Sequence, residues 1–151
     1  MHELQQTKVV NLTPPGALVD DASLTVAELD TIGYNYLTIM LVLGATDIAC
    51  SACKLTESDT TGTGHADISG ADFDGDTESD GTTAALPSAT DDDGVFAWEL
   101  DLKSRERYID ATITVGNGTA GGYYAVIAIL SRAKESPVTP TQRGLAGVLR
   151  V

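Results

Sequence analysis

The chain has 151 residues, a mass of 15.7 kDa, and nine Lys and Arg against 22 Asp and Glu, for a formal charge of −13. That length supports one domain with a real core, while the charge repels nucleic acid and anionic lipid and sets both aside as partners. The N-terminal MHELQQTKVV lacks an apolar stretch of signal-peptide length, and the longest apolar run, around Leu37–Leu43, is far short of a membrane span. A soluble chain with no sign of export is expected, and two cysteines without a disulfide framework suit a reducing compartment.

In chain order, apolar residues recur at period two in short runs bounded by Gly, Asn, Asp and Pro, and no stretch holds a 3.6 period for three turns. Lys8–Leu12 is a first short strand. A segment near Leu24–Leu29 reads either as strand or as one helical turn, since Thr25 and Glu28 fit a capping box and Gly33 stops anything longer. Tyr34–Leu43 is apolar on both faces: Tyr34, Tyr36, Thr38, Met40 and Val42 on one, Leu37, Ile39, Leu41 and Leu43 on the other. Ile48–Leu55 follows and contains Cys50-Ser51-Ala52-Cys53. On a strand, residues three apart face opposite sides, so this C-x-x-C reads as two small buried thiols, with no disulfide, redox or zinc role.

Residues 57–93 hold 11 of the 22 acids and no Lys or Arg, in a Gly-, Ser- and Thr-rich setting. This predicts a long solvated acidic loop with one short strand about His65–Ile68. Within it, Asp72, Asp74 and Asp76 alternate as calcium ligands do, but Thr77 and Thr83 replace the Gly and the acid of an EF-hand loop, leaving a weak calcium candidate; no cofactor is favoured. Phe96–Leu102 alternates cleanly, with Phe96, Trp98, Leu100 and Leu102 inward, and Tyr108–Val115 does the same before the turn Gly116-Asn117-Gly118-Thr119. Gly122–Leu130 is again apolar on both faces, with Tyr123, Ala125, Ile127 and Ile129 opposite Tyr124, Val126, Ala128 and Leu130. Beyond Leu130 the pattern stops, and residues 132–151 form a Pro-containing arm with Arg132, Lys134, Arg143 and Arg150 but one acid, Glu135.

The expected fold is all-β: a single-domain, jelly-roll-like β-sandwich over 1–131 followed by a C-terminal arm over 132–151. Strands apolar on both faces need a second cover, and closed symmetry makes a homo-oligomer the economical one. Tyr34, Tyr36, Met40, Val42, Tyr123 and Tyr124 are the candidate interface residues, and Arg132, Lys134, Arg143 and Arg150 the candidate contacts of the arm. The sequence offers two histidines, His2 and His65, and contains no nucleophile elbow, Walker loop, dinucleotide fingerprint or zinc-protease helix, so no enzyme is expected.

The VVNL and PPGA opening, GATDIA followed by LTESD, the LPSATDDD loop, RERYIDATITVGNGTAG and the ending Leu130-Ser131-Arg132-Ala133-Lys134-Glu135 together resemble a group of small structural proteins encoded beside capsid genes of tailed phages. The resemblance spans residues 9–137 and implies a jelly-roll or related head-decoration (cement) protein, often trimeric, with no catalytic residues. The expected partners are then the major capsid protein and further copies of the chain. The expected location is the outer surface of the virion capsid, reached from the host cytoplasm during assembly. From another class, a calcium-assisted carbohydrate- or receptor-binding module would use Tyr123, Tyr124 or Trp98 as stacking platforms and Asp72, Asp74 and Asp76 as ion ligands; a neck or tail structural protein is the third reading.

Overall fold

The computed structural model describes residues 6–13, 16–135, 137 and 139–149. Among the described residues there are eight strands: β1 Lys8–Thr13, β2 Leu29–Asp30, β3 Tyr36–Thr46, β4 Cys50–Ser58, β5 Ala66–Asp72, β6 Val95–Asp101, β7 Tyr108–Val115 and β8 Gly122–Ser131. They form two four-stranded antiparallel sheets in the orders β1-β8-β3-β6 and β2-β7-β4-β5. The pairings are nested, first with last, second with seventh, third with sixth and fourth with fifth. Such a pattern is one long antiparallel hairpin rolled onto itself, the double Greek key of a jelly roll.

Alternation along the strands supplies the core between the sheets. Leu37, Ile39, Leu41 and Leu43 of β3 and Val126, Ala128 and Leu130 of β8 point inward from one sheet; Leu55, Ile109, Ile113 and Val115 meet them from the other, all essentially without solvent exposure. At roughly 1.5–3 kcal/mol for each fully buried aliphatic side chain, this layer is the main source of stability.

Four expectations are corrected in detail. The strand expected from Tyr34 starts at Tyr36 and runs on to Thr46: the Tyr34 amide closes a turn onto the Thr31 carbonyl, and the Asn35 amide donates to the Ser131 carbonyl at the far end of β8. No helical turn forms at Thr25: Glu28 accepts hydrogen bonds from the Thr61 hydroxyl (2.5 Å) and the Gly62 amide (2.8 Å), far along the chain, in place of capping its own segment. The acidic stretch 57–93 is less of a loop than its composition suggests, since it contains the end of β4 and all of β5, and Ala84 and Pro87 are buried. The two cysteines lie on the same side of β4, not on opposite sides. A bulge between Cys50 and Ala52 inserts a residue, so Cys50 aligns with Val115 and Cys53 with Ile113, both inward positions. Both thiols are free and buried, and burial pushes both pKa values up, which is the opposite of thiolate activation.

Candidate interaction surface

The two sheets differ sharply on their outward faces. On the β2-β7-β4-β5 sheet the outward register places Lys54 beside Thr112 and Asp72, and Thr56 beside Asp110 and Asp67, with a Lys54–Asp67 ion pair of 2.7 Å. That face is polar, as the outer side of an antiparallel sheet is expected to be, with Thr56 buried within it. On the β1-β8-β3-β6 sheet the rows are Val9, Ile129, Thr38, Glu99, then Asn11, Ile127, Met40, Ala97, then Ala125, Val42, Val95. An apolar patch therefore runs across β8 and β3 to β6, with Val95 58% and Tyr123 50% exposed. Tyr123 lies against Gly44, where a Cβ would come within 3.1 Å of the tyrosine Cβ, so the absence of a side chain at 44 makes room for it. Glu99 and Asp101 of β6 give one margin of the patch a polar border.

The candidate interface residues are split by this geometry. Tyr36, Met40, Val42 and Tyr123 all belong to the outward set. Tyr34 precedes the strand and packs against the core, half-buried. Tyr124 points inward, and its hydroxyl sits 3.1 Å from Thr46 Oγ1; burial pushes its phenol pKa up to about 12. Its place in the core follows from the period of two: with Tyr123 outward, its neighbour is inward.

The arm residues divide as well. The Arg132 guanidinium stands 5.0 Å over the Tyr36 ring, a cation–π contact at the corner of the apolar face. Lys134 is exposed, and its backbone amide donates to the Gly33 carbonyl at 2.8 Å. Arg143 is 5% exposed, contrary to its expected role as a free contact of the arm: the 3-10 turn Thr141–Arg143 turns it inward where the arm returns to β1. At Gly144 the approach is so close that a Cβ would collide with the Val9 carbonyl. Arg150 lies outside the described residues.

No family model matches the chain. No curated protein matches it. Among solved structures, the crystal structure of the SPBc2 prophage-derived protein YomS is similar with a TM-score of 0.48 and 11% identity, over 82% of this chain and 91% of that one. A likeness at that level says nothing of activity or partners.

The carboxylates of the acidic stretch act mainly as acceptors for loop amides. Asp72 Oδ1 takes the Asp74 amide, Asp76 Oδ2 the Asp72 amide and Asp80 Oδ1 the Thr82 amide, each at 2.9 Å. Asp72, Asp74 and Asp76 form no common cage, and among the described residues no three His, Cys, Asp or Glu side chains are placed to hold a metal ion. These are local turn bonds, the usual work of Asp in loops. Outside the stretch, Asp47 is the clearest case: it accepts from the amides of Thr119, Ala120 and Gly121, each at 2.8 Å, and so clamps the turn between β7 and β8. These amides, Ala120 first, hold the Asp47 carboxyl below its usual range.

Asp30 is lowered by the two-pronged Arg107 guanidinium, Glu28 chiefly by the Thr61 hydroxyl, and Asp80 by the Thr82 hydroxyl. Each lowered carboxylate contributes stability that is fully present above its unfolded value, roughly 4, and is lost as pH falls through the lower folded value. Asp110, raised by burial, acts in the opposite sense, since its protonation relieves a cost. The lowered group is the larger, so the urea midpoint should hold from pH 7 to pH 5 and fall below pH 4, with Asp47→Asn giving a shallower fall. A midpoint unchanged down to pH 2.5 would overturn this.

Proposed function

We propose that this chain is a non-enzymatic structural protein that decorates and stabilises the outside of a tailed-phage capsid as a homo-oligomer, a trimer in its expected form. The observation that carries this reading is the apolar outward face of the β1-β8-β3-β6 sheet, set against a polar outward face on the other sheet. A patch spanning adjacent strands is covered most economically by a symmetry mate. The sequence resemblance to head-decoration proteins and the negative charge favour a place on the exterior, away from packaged DNA.

In this mechanism the subunits associate through Tyr36, Met40, Val42, Tyr123 and the isoleucines between them, while Arg132 and Lys134 stand where the chain leaves the sandwich. The capsid contact itself is with the major capsid protein. Many modest contacts repeated around the shell add up through multivalency, so no single tight site is required. No metal or cofactor takes part. Of the stacking platforms of the carbohydrate-binding alternative, Trp98 is only 6% exposed and Tyr124 is in the core, which leaves Tyr123 alone.

Native mass spectrometry at micromolar concentration tests the first half of the reading, with the expected species three times the 15.7 kDa chain; a monomer would overturn it. Cryo-EM of decorated heads tests the second half. Density for the sandwich on the outer shell is expected, and density confined to the neck or tail would move the protein there.

A further inference from the structure

β6 pairs with β3, and among the described residues no strand pairs with its other side. The Leu43 amide donates to the Gly94 carbonyl and the Leu102 amide to the Asn35 carbonyl, both at 3.0 Å. Even-numbered residues of β6 therefore turn their backbone groups to β3, and Ala97, Glu99 and Asp101, all exposed, turn theirs to the free edge. That edge opens into a groove of about 710 Å³ whose far wall is β5 and residues 76–79. At the end of β5 the wall is already bonded: the Ala71 carbonyl accepts the Trp98 indole N–H at 3.1 Å, and the Asp72 amide donates to Asp76 Oδ2 at 2.9 Å. The β6 side is thus where a strand can be added.

The side chains around the groove set the chemistry of such a strand. Phe73 and Trp98, edge-on with ring centroids 5.0 Å apart, give it an apolar floor. Glu78, Glu99 and Asp101 line it with carboxylates, and Arg105, the cation among the lining residues, is already paired with Glu57 at 3.1 Å. On an added strand, residues opposite Glu99 and Asp101 would share their outward face, and residues opposite Trp98 and Leu100 would point to the floor. Cations in the first set and aliphatic side chains in the second complement both. From Ala97 to Asp101 the edge runs about 14 Å, room to pair about five residues.

We propose that this groove receives a basic, extended segment of a partner protein, in which Lys or Arg alternates with aliphatic residues, as a strand added to the free edge of β6. The far wall favours a lone segment over a second copy of this chain, whose edge strand would arrive with a sheet behind it. This contact is distinct from the apolar outward face and stands whether or not that face joins copies of the chain.

The end-blocked peptide Lys-Val-Lys-Val-Lys-Val-Lys, added at millimolar concentration to the full chain and followed by hydrogen-exchange NMR, tests the proposal. Exchange of the Ala97, Glu99 and Asp101 amides is expected to slow by about tenfold or more. N-methylation of the peptide's lysines, whose amides would face β6, should weaken binding by about tenfold or more, while N-methylation of its valines, whose amides would face away, should change it by less than about threefold. Charge is the same in both methylated peptides, so the pair separates strand addition from attraction to an acidic surface. Glu78→Lys with Glu99→Lys should weaken binding by about tenfold or more through like-charge repulsion; should that variant not fold, the methylated pair decides on the parent chain. No slowing at those three amides, protection centred on the outward face of β3 and β8, or equal binding of the two methylated peptides would each overturn the proposal. So would binding untouched in a folded double variant. Protection that rises with protein concentration before any peptide is added would also overturn it, by assigning the edge to a second copy.

Discussion

Tyr36→Asp combined with Met40→Asp is expected to shift the protein to monomers at concentrations where the parent chain is oligomeric, while leaving it folded. Met40 faces outward between Ile127 on β8 and Ala97 on β6, and Tyr36 sits at the end of the same strand between Ser131 and Asp101. In an isolated subunit an aspartate at either position reaches solvent, so the cost to the fold is that of a poor strand former, about 1 kcal/mol or less each. In an oligomer the same carboxylates would be buried against an apolar partner face without counter-charge, which costs several kcal/mol per site and is repeated by symmetry. The two substitutions should therefore weaken association by at least about a hundredfold, since 1.4 kcal/mol is a factor of ten. Sedimentation equilibrium together with a thermal melt checks both halves. A variant that unfolds would place those side chains in the internal core, and one that stays oligomeric would move the interface elsewhere.

Trp98→Ala is expected to be the most destabilising single change on β6, at about 3–5 kcal/mol for removal of a buried tryptophan. Trp98 is 6% exposed, stacks edge-on against Phe73 and donates to the Ala71 carbonyl on the other sheet. Its loss removes core volume and the tie between two strand edges at once. Trp98→Phe separates the terms: it keeps most of the ring and strands the Ala71 carbonyl, for about 1–3 kcal/mol. Urea unfolding of the two variants against the parent measures both, and a Phe variant as unstable as the Ala variant would assign the whole effect to the hydrogen bond.

The strands that could be read from the sequence are those whose two faces differ. Tyr108–Val115 alternates Ile, Ala, Ile and Val with Asp and Thr, and the structure gives it the same bounds. On Gly122–Leu130 the pattern marks a strand but cannot say which face is inner, because both are apolar, and so Tyr124 reads the same as Tyr123 until the sheets are assembled. The cysteines are the buried free thiols expected, but the face each one takes departs from the period of two for a different reason. The period of two fails wherever a bulge inserts a residue, and the bulge at Ser51 is set by register with β7, more than 60 residues away. Glu28 shows the same dependence on distance: its spacing from Thr25 satisfies a local capping rule, yet its partners are Thr61, Gly62 and His65, the last at 3.0 Å. Composition also misled in the acidic stretch, since carboxylates that accept loop amides look identical in sequence to carboxylates that merely face water.

The nested strand order has a consequence for biosynthesis. Lys8 aligns with Leu130 and Asn11 with Ile127, so β1 leaves the ribosome well before its ladder partner β8 is made. The β4–β5 pair can close as soon as both have emerged, but β1 stays without its edge-mate until the other strands of the sandwich have been made. Productive folding is thus of the slow kind that dominance by distant pairings imposes, and a nascent chain that has not reached β8 carries an unmated ribbon in search of a neighbour.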